Sequence, residues 1–338
     1  MKKIIVTGGL GYIGSHTVVE LMSAGYEPVI VDDLSNSSIK ILKQLQKITG
    51  KTPAFHQLDL SSPDQVAKLL LLEKSISGII HFAAFKAVGE SVGRPLKYYK
   101  NNFYSLINLL DQLGAEVPFV FSSSCTVYGE PDSLPVSESA IVKQAESPYG
   151  NTKQVAEEIL KDLVAAEPER KVIALRYFNP VGAHHTALIG ELPIGVPQNL
   201  VPFITQTAIG KREQLTVFGN DYHTKDGSCI RDYIHVVDLA KAHVAAIQYM
   251  ELPDFNGYDV FNIGTGKGYT VLEVINTFEE VNNLILNYQI GPRRNGDIER
   301  IWGNVDKSSK LMAWEAELQL ETMLSSSWQW EKYMKDNF

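Results

Sequence analysis

Short β-branched runs and longer amphipathic stretches alternate along the chain as far as Asn179, and few folds accommodate such a pattern. The runs are Lys3 to Val6, Pro28 to Asp32, Ala54 to Leu58, Gly78 to Ala83, Phe119 to Ser123 and Val172 to Tyr177. Between them, apolar residues recur at helical spacing near Ile13 to Ala24, Ser38 to Ile48, Pro63 to Glu73, Leu96 to Leu113 and Tyr149 to Ala166. Strand, helix and strand in repetition make parallel βαβ units. Ile4-Ile5-Val6, Val29-Ile30-Val31 and Ile79-Ile80 are continuous apolar runs, as in strands covered by helices on both faces. The spacing predicts an α/β fold with a doubly wound parallel sheet.

Beyond Asn179 the texture changes. Pro180, Pro193, Pro197 and Pro202, with Gly182, Gly190 and Gly195, break the alternation into loops and short elements. A smaller mixed α/β domain is therefore expected over residues 180–338, after a sheet domain over residues 1–179. Helical patterns return at His235 to Met250 and Val271 to Val281, with strand-like Val260 to Ile263 and Leu284 to Gln289 beside them. Either strand could join the first sheet, so segments near 231–263 could pack back onto it.

Composition excludes several classes. A chain of 338 residues has room for two such units. Its 31 Lys and Arg against 39 Asp and Glu leave a charge of −8, without the basic footprint of a general nucleic-acid binder. Cys125 and Cys229 are too few for a disulfide framework, and no Cys/His cluster has zinc spacing, so no metal is expected. Lys2 and Lys3 before Ile4-Ile5-Val6 imitate a signal peptide, but the run stops at Thr7-Gly8-Gly9. No stretch of about 18 apolar residues is present to cross a bilayer. These features lead to the expectation of a cytoplasmic protein with neither nucleic-acid nor membrane partners.

Chemistry begins where the first run ends, in Thr7-Gly8-Gly9-Leu10-Gly11-Tyr12-Ile13-Gly14. Gly8, Gly11 and Gly14 permit a tight turn and let backbone N–H groups approach a pyrophosphate at a helix N-terminus. A glycine pattern alone is a weak signal. This one follows a first strand and opens a helix, and eighteen residues past Gly14 the second strand ends in Asp32-Asp33. A carboxylate there would hydrogen-bond a ribose 2′-hydroxyl and repel a 2′-phosphate. The combination predicts a Rossmann-type domain holding NAD rather than NADP, with Asp32, which closes the apolar run, as the ribose partner.

The fourth and fifth strands lead into His81-Phe82-Ala83-Ala84-Phe85-Lys86 and Ser122-Ser123-Ser124-Cys125-Thr126-Val127-Tyr128-Gly129. Ligands of open α/β sheets bind beyond the carboxyl ends of the strands, so Phe82, Ala83 and Ser124 face one crevice. Tyr149 and Lys153 follow at i,i+4, on one helix face, where an ammonium can lower a phenol pKa. In isolation such a pair is usually a solvated helix face; after a dinucleotide fingerprint and a Ser-rich strand end it reads as proton-transfer machinery.

With KAVGES at Lys86 to Ser91, FSSSCTVYG at Phe121 to Gly129, SPYGNTK at Ser147 to Lys153, RYFNPVGAH at Arg176 to His184, FGNDY at Phe218 to Tyr222, RDYIHV at Arg231 to Val236 and PRRNGD at Pro292 to Asp297, the sequence resembles, nearly end to end, the extended short-chain dehydrogenase/reductase family. Within it the likeness is to the UDP-galactose 4-epimerases. The resemblance implies tightly held NAD and a catalytic Ser124, Tyr149 and Lys153. Tyr149 would take the proton of the sugar 4-hydroxyl while hydride leaves C4, Ser124 would bond the same oxygen, and Lys153 would hold the cofactor ribose. A 4-ketose that turns over before reduction needs its nucleotide diphosphate held firmly and its hexose loosely. The resemblance gives that grip to Asn179, Asn199, Leu200, Phe218, Arg231, Arg294 and Asp297. The arginines would sit on the diphosphate, Phe218 beside the uracil and Asp297 on the uridine ribose. For the cofactor it implies Tyr12 and Ile13 at the pyrophosphate turn, Asp32 on the adenosine ribose, Asn36 and Ser37 at the adenine end, and Asp59 and Leu60 on the adenine. It also implies Lys86 and Tyr177 near the nicotinamide and Asn101 near the diphosphate.

Plainer readings stand beside these. Arg231 next to Asp232 could be a structural ion pair, Arg293-Arg294 a solvated turn, Lys86 a loop lysine, and Asp59 a helix cap before Ser61-Ser62-Pro63. Cys125 is expected on the opposite strand face from Ser124, in packing. His184-His185 lacks a third ligand, and Trp328 and Trp330 read as core or interface of a C-terminal helix. Ile301 falls where a large Tyr in the family excludes N-acetylated sugars and a small Cys admits them. A plain UDP-hexose is the expected substrate, with UDP-N-acetylglucosamine the alternative.

A 4,6-dehydratase would share the NAD and the Tyr/Lys pair but needs an Asp-Glu pair after the Thr of the fifth-strand motif. Here the chain reads Thr126-Val127-Tyr128, with no carboxylate before Glu130. A UDP-glucuronate epimerase acting at C5 would share the diphosphate grip, and a silent dinucleotide-binding regulator would have no need of the Ser/Tyr/Lys set. The resemblance also suggests a homodimer, joined through the helices at Leu96 to Leu113 and Tyr149 to Ala166.

Overall fold

The computed structural model describes residues 1–294 and 297–338. Six strands of one sheet come in order from the first part of the chain: β1 (Lys3–Thr7), β2 (Glu27–Asp32), β3 (Ala54–Gln57), β4 (Ile76–His81), β5 (Phe119–Ser124) and β6 (Lys171–Tyr177). The helices between them are α1 (Tyr12–Ser23), α2 (Lys40–Thr49), α3 (Pro63–Leu72), α4 (Val88–Gly93), α5 (Pro95–Gln112) and α6 (Pro148–Ala166). The remainder contributes β7 (Asn179–Val181), α7 (Leu200–Ala208), β8 (Leu215–Phe218), β9 (Ile230–His235), α8 (Val236–Met250), β10 (Gly257–Ile263) and β11 (Gly268–Thr270). After these come α9 (Val271–Asn282), β12 (Tyr288–Gly291), β13 (Arg300–Ile301), α10 (Asp306–Met312) and α11 (Leu320–Asn337).

The main sheet is parallel, in the order β10-β6-β5-β4-β1-β2-β3. Adjacent residues of each strand serve opposite cores, as the period of two requires. Ile4, Val6, Ile30, Ile80, Val120 and Ile173 pack under α1, α2 and α8, while Ile5, Val29, Val31, Ile79, Phe119 and Val172 pack under α3, α5 and α6. Both faces are covered, which is why these strands read as unbroken apolar runs. Strand order reverses between β1 and β4, and the crevice beyond their carboxyl ends is the ligand position of such sheets. No helix among the described residues is long and apolar enough to cross a membrane.

The later elements depart from the periodicity. Val260 to Ile263 belongs to β10, which joins the main sheet beside β6, while α8 packs on α1. Leu284 to Gln289 is not a strand throughout: only Tyr288–Gly291 pairs, with β8. The N–H groups of Leu284 and Leu286 are taken by the end of α9, donating to the Glu279 carbonyl and carboxylate respectively. α7 escapes the pattern because Pro202 reads as a breaker, yet it lies in the first turn, where a missing N–H costs nothing. Helices α7, α9 and α11 bury Ile204, Ile275, Phe278 and Leu324 in a third core against β8 and β9.

A close backbone approach lies at the β1–α1 junction. A Cβ on Gly14 would overlap the Gly8 carbonyl oxygen and stand 2.8 Å from Gly9 Cα, all backbone atoms that cannot swing aside. Gly14→Ala should therefore lower unfolding free energy by about 1–3 kcal/mol in denaturant melts. Gly93→Ala, where a methyl meets nothing within 4 Å, should cost nothing measurable.

Candidate active site

The glycine turn is a backbone device. Gly8, at φ +66°, donates its N–H to Val31 O at 2.7 Å, and Gly11 N donates to Gly8 O at 3.0 Å, so the turn closes and α1 begins at Tyr12. α1 has no side-chain cap and no acid in its first turn, leaving its positive end for an outside anion. Asp32 sits against this turn: Oδ2 accepts from Leu10 N at 3.0 Å, and Oδ1 accepts from Leu34 N at 3.0 Å and Ser37 Oγ at 2.7 Å. Asp33 faces outward and caps Ser35. Gly8, Gly11, Tyr12, Ile13, Gly14, Asp32 and Ser37 are thus brought together, with Asn36 exposed on the same loop. The carboxylate at the strand end and the uncapped helix fit a dinucleotide.

Phe82 and Ala83 close the other side of the turn, their N–H groups donating to Thr7 O and Thr7 Oγ1. Leu60 is buried, and Asp59 accepts from Ser61 N at 2.8 Å, a turn cap within the loop rather than a cap of α3. Asn101 Nδ2 donates to Asn102 Oδ1 at 3.1 Å. Asn102 itself pins the loop after β4 by bonding both the N–H and the carbonyl of Phe85, and it reaches Thr152 Oγ1 on α6.

Each residue at the end of β5 engages α6 or its neighbours. The Ser122 carbonyl accepts from Lys153 Nζ at 2.6 Å, while its hydroxyl bonds the Tyr177 hydroxyl. Ser123 Oγ donates to Glu157 at 2.5 Å, and Arg176 holds the same buried carboxylate through Nε at 2.9 Å and Nη2 at 2.5 Å. Ser124 Oγ accepts from Thr126 N at 3.3 Å and lowers the pKa of the neighbouring Tyr149 phenol. Tyr149 stands in the first turn of α6, its N–H donating to Ser91 Oγ of α4 at 3.2 Å, while Ser147 Oγ caps Gly150 N.

Burial dominates the electrostatics. It pushes the Tyr149 phenol up to about 12, opposed by the Ser124 hydroxyl. Lys153 is pulled down to about 7 by burial, opposed by Glu157 one helical turn away. Lys153 Nζ donates to the Ser122 carbonyl and stands 5.9 Å from the centre of the Tyr149 ring.

Across the crevice, Arg294 clamps Asp297, with Nη2 at 2.6 Å from Oδ1, and places its guanidinium 5.5 Å from the centre of the exposed Phe218 ring. Arg231 Nη2 approaches Asp297 at 4.0 Å. Asp232 is not the partner of Arg231. It is fully buried and accepts from Thr265 N, Thr265 Oγ1, Gly266 N and Gly303 N, fastening β9 where Arg231 emerges. Ile301 pairs with Arg231 across β13 and β9 and packs with Val127, Tyr128 and Phe178. Asn179 opens β7, Asn199 immediately precedes Leu200 at the start of α7, and Lys86 is exposed at the rim. Cys125 packs half-buried in the Ile301 cluster, but it follows the strand end, so strand alternation does not set its direction.

Comparison with known proteins bears on what this crevice handles. A family model described as GDP-mannose 4,6 dehydratase matches residues 5–327. UDP-glucose 4-epimerase of Haemophilus influenzae is 47% identical over 331 residues, 97% of each chain. Among solved structures, UDP-glucose 4-epimerase of Stenotrophomonas maltophila, with bound NAD and formylated UDP-arabinopyranose, superposes with a TM-score of 0.96 at 44% identity over all of both chains. That of Bifidobacterium longum, in complex with NAD+ and UDP, gives 0.95 at 42%, again over all of both chains.

The chain belongs to that family, among its UDP-glucose 4-epimerases. As an epimerase it has hydrophobic packing after Thr126, where a dehydratase needs acid and base: Val127 and Tyr128 are fully buried. The epimerase residues that motif reading left unassigned, Ser91, Asn102 and Glu157, are polar side chains whose partners lie far away in sequence, so no spacing announces them.

Lys153 titrates far from a surface lysine in this arrangement. Competitive acylation of the nucleotide-free protein should give it an apparent pKa of about 7, and Glu157→Gln should move it lower by removing the opposing charge. A value above 9 would contradict the burial argument.

Proposed function

We propose that this chain interconverts UDP-galactose and UDP-glucose by transient oxidation at C4. What supports the reading is the bond from Lys153, four residues after Tyr149 on α6, to the Ser122 carbonyl two residues before Ser124 at the end of β5, together with the Asp32 glycine turn and the cluster of Phe218, Arg231, Arg294 and Asp297. We assign NAD to residues 1–179 together with α8 and β10, and the sugar nucleotide to the rest of residues 180–338.

When bound, NAD supplies a site that accepts the C4 hydride and returns it. The chain carries the proton. Tyr149 takes the 4-hydroxyl proton as C4 is oxidised and gives it back to the same oxygen on reduction, so the cycle consumes none. Ser124 bonds that oxygen and shares the charge. A phenol near 12 is a poor base at neutral pH, so the filled site must bring positive charge beside it; Lys153 is this chain's own cation for that task once it leaves the Ser122 carbonyl. Arg231 and Arg294 are assigned to the diphosphate, Phe218 to the uracil, Asp297 to the uridine ribose, and Asn179, Asn199 and Leu200 to the same grip on the nucleotide diphosphate. Tyr12, Ile13, Asn36, Ser37, Asp59, Leu60, Phe82, Ala83, Lys86, Asn101 and Tyr177 are assigned to NAD.

Ile301, 3% exposed and wedged among apolar neighbours, supports a second substrate class, UDP-N-acetylhexosamine, because its side chain is shorter than a tyrosine. We place the protein in the cytoplasm, in galactose and nucleotide-sugar metabolism, on the chemistry of these ligands. We also propose a homodimer: Leu96, Tyr104 and Ile107 are exposed along α5, beside α6. Ile107→Glu should then give monomers by light scattering.

Purified protein should convert UDP-galactose to UDP-glucose by NMR, and the same assay with UDP-N-acetylgalactosamine reads the 2-substituent limit. Tyr149→Phe should lose about 10²–10⁴-fold in turnover. An unchanged rate would overturn the mechanism, and a wild type inert to both sugars with NAD supplied would leave a binding role.

A further inference from the structure

The loop between β7 and α7 places a carboxylate, Glu191, at the meeting point of the proposed cofactor and sugar-nucleotide halves. Its Oε1 accepts from Asn199 Nδ2 at 2.7 Å and stands 3.5 Å from Lys86 Nζ. Its charge is also felt at the half-buried Tyr12 phenol, whose hydroxyl donates to Gly182 O at 2.6 Å. Three segments therefore converge on one side chain: the loop after β4, the start of α1 and the start of α7. On charge alone this is a costly position, since both expected ligands are diphosphates and a carboxylate repels them.

The backbone beneath Glu191 is held from two sides. Trp330 Nε1 of α11 donates to the Glu191 carbonyl at 2.7 Å. Gly190 lies so flat on the same indole that a Cβ would stand 2.5 Å from Trp330 Cγ. A bridge from Ala183 to Gly190 and the bond from His184 N to Ile189 O tie the loop to the end of β7. The Glu191 side chain is 16% exposed, and its partners Asn199 and Lys86 are exposed.

We propose that Glu191 is a positioning residue for the sugar nucleotide, acting through Asn199. Holding one amide N–H fixes the Asn199 side chain and leaves its Oδ1 and second N–H for a ligand. It fixes the side chain that immediately precedes α7 against the cofactor side at Lys86. The proposal rests on the epimerase reading, in which Asn199 touches the sugar nucleotide.

Reach and charge separate cleanly in two conservative variants. Glu191→Gln keeps an acceptor oxygen at the same reach and loses the charge; Glu191→Asp keeps the charge and withdraws it by one methylene. In the holoenzyme with UDP-galactose, positioning predicts that E191Q stays within about 3-fold of wild-type KM, and that E191D raises KM about 10-fold with kcat within about 3-fold. Combined with Asn199→Ala, E191D should add no further loss, because the residue it acts through is gone. If E191D matches wild type, if E191Q lowers KM as relief of repulsion would, or if the losses add in the double variant, the proposal is overturned. A wild type with no turnover of any UDP-sugar would instead defeat the epimerase reading on which it rests.

Discussion

The backbone contact between Gly14 and the Gly8 turn decides how close α1 can come to β1, and the crevice follows from that approach. Strand order reverses between β1 and β4, so the chains leaving those strands diverge to opposite faces and open a gap at their carboxyl ends. An uncapped helix end faces that gap, with the Asp32 carboxylate fastened to the turn through Leu10 N. A side chain at Gly14 would push the helix away and widen the seat. The apolar strands on either side serve this one junction by fixing the two faces of the sheet.

Burial then sets the chemistry. Lys153, Glu157 and Arg176 are each at most 4% exposed; Arg176 and Ser123 hold the Glu157 carboxylate, and Lys153 is tied to the Ser122 carbonyl at the end of β5. The Ser122 carbonyl holds Lys153, Ser123 binds Glu157, and Ser124 is left for Tyr149. A ligand that displaced Lys153 from Ser122 would free a cation next to a phenol. On this account the resting site is poised by desolvation rather than already ionised.

Much of this was legible in the sequence, and for identifiable reasons. Strands covered on both faces print continuous apolar runs, a dinucleotide turn needs glycines at fixed offsets, and Tyr149 and Lys153 share a helix face. What was not legible depends on long-range partners. Asp232 reads as an ion-pair partner of Arg231, yet four donors from three later residues turn it the other way. α7 hides behind Pro202, and Leu284 to Gln289 alternates like a strand although its N–H groups close a helix. Ser91, Asn102 and Glu191 find their partners 58, 50 and 139 residues away at the farthest.

The central claim is that hydrogen leaves C4 as hydride and returns to the same carbon without meeting solvent. Epimerisation of UDP-galactose in D2O, followed by NMR of the UDP-glucose formed, tests it most directly. The account predicts product with protium retained at C4. Deuterium at C4 would mean that the carbon is deprotonated to solvent, and would contradict the assigned roles of Tyr149, Ser124 and the dinucleotide turn.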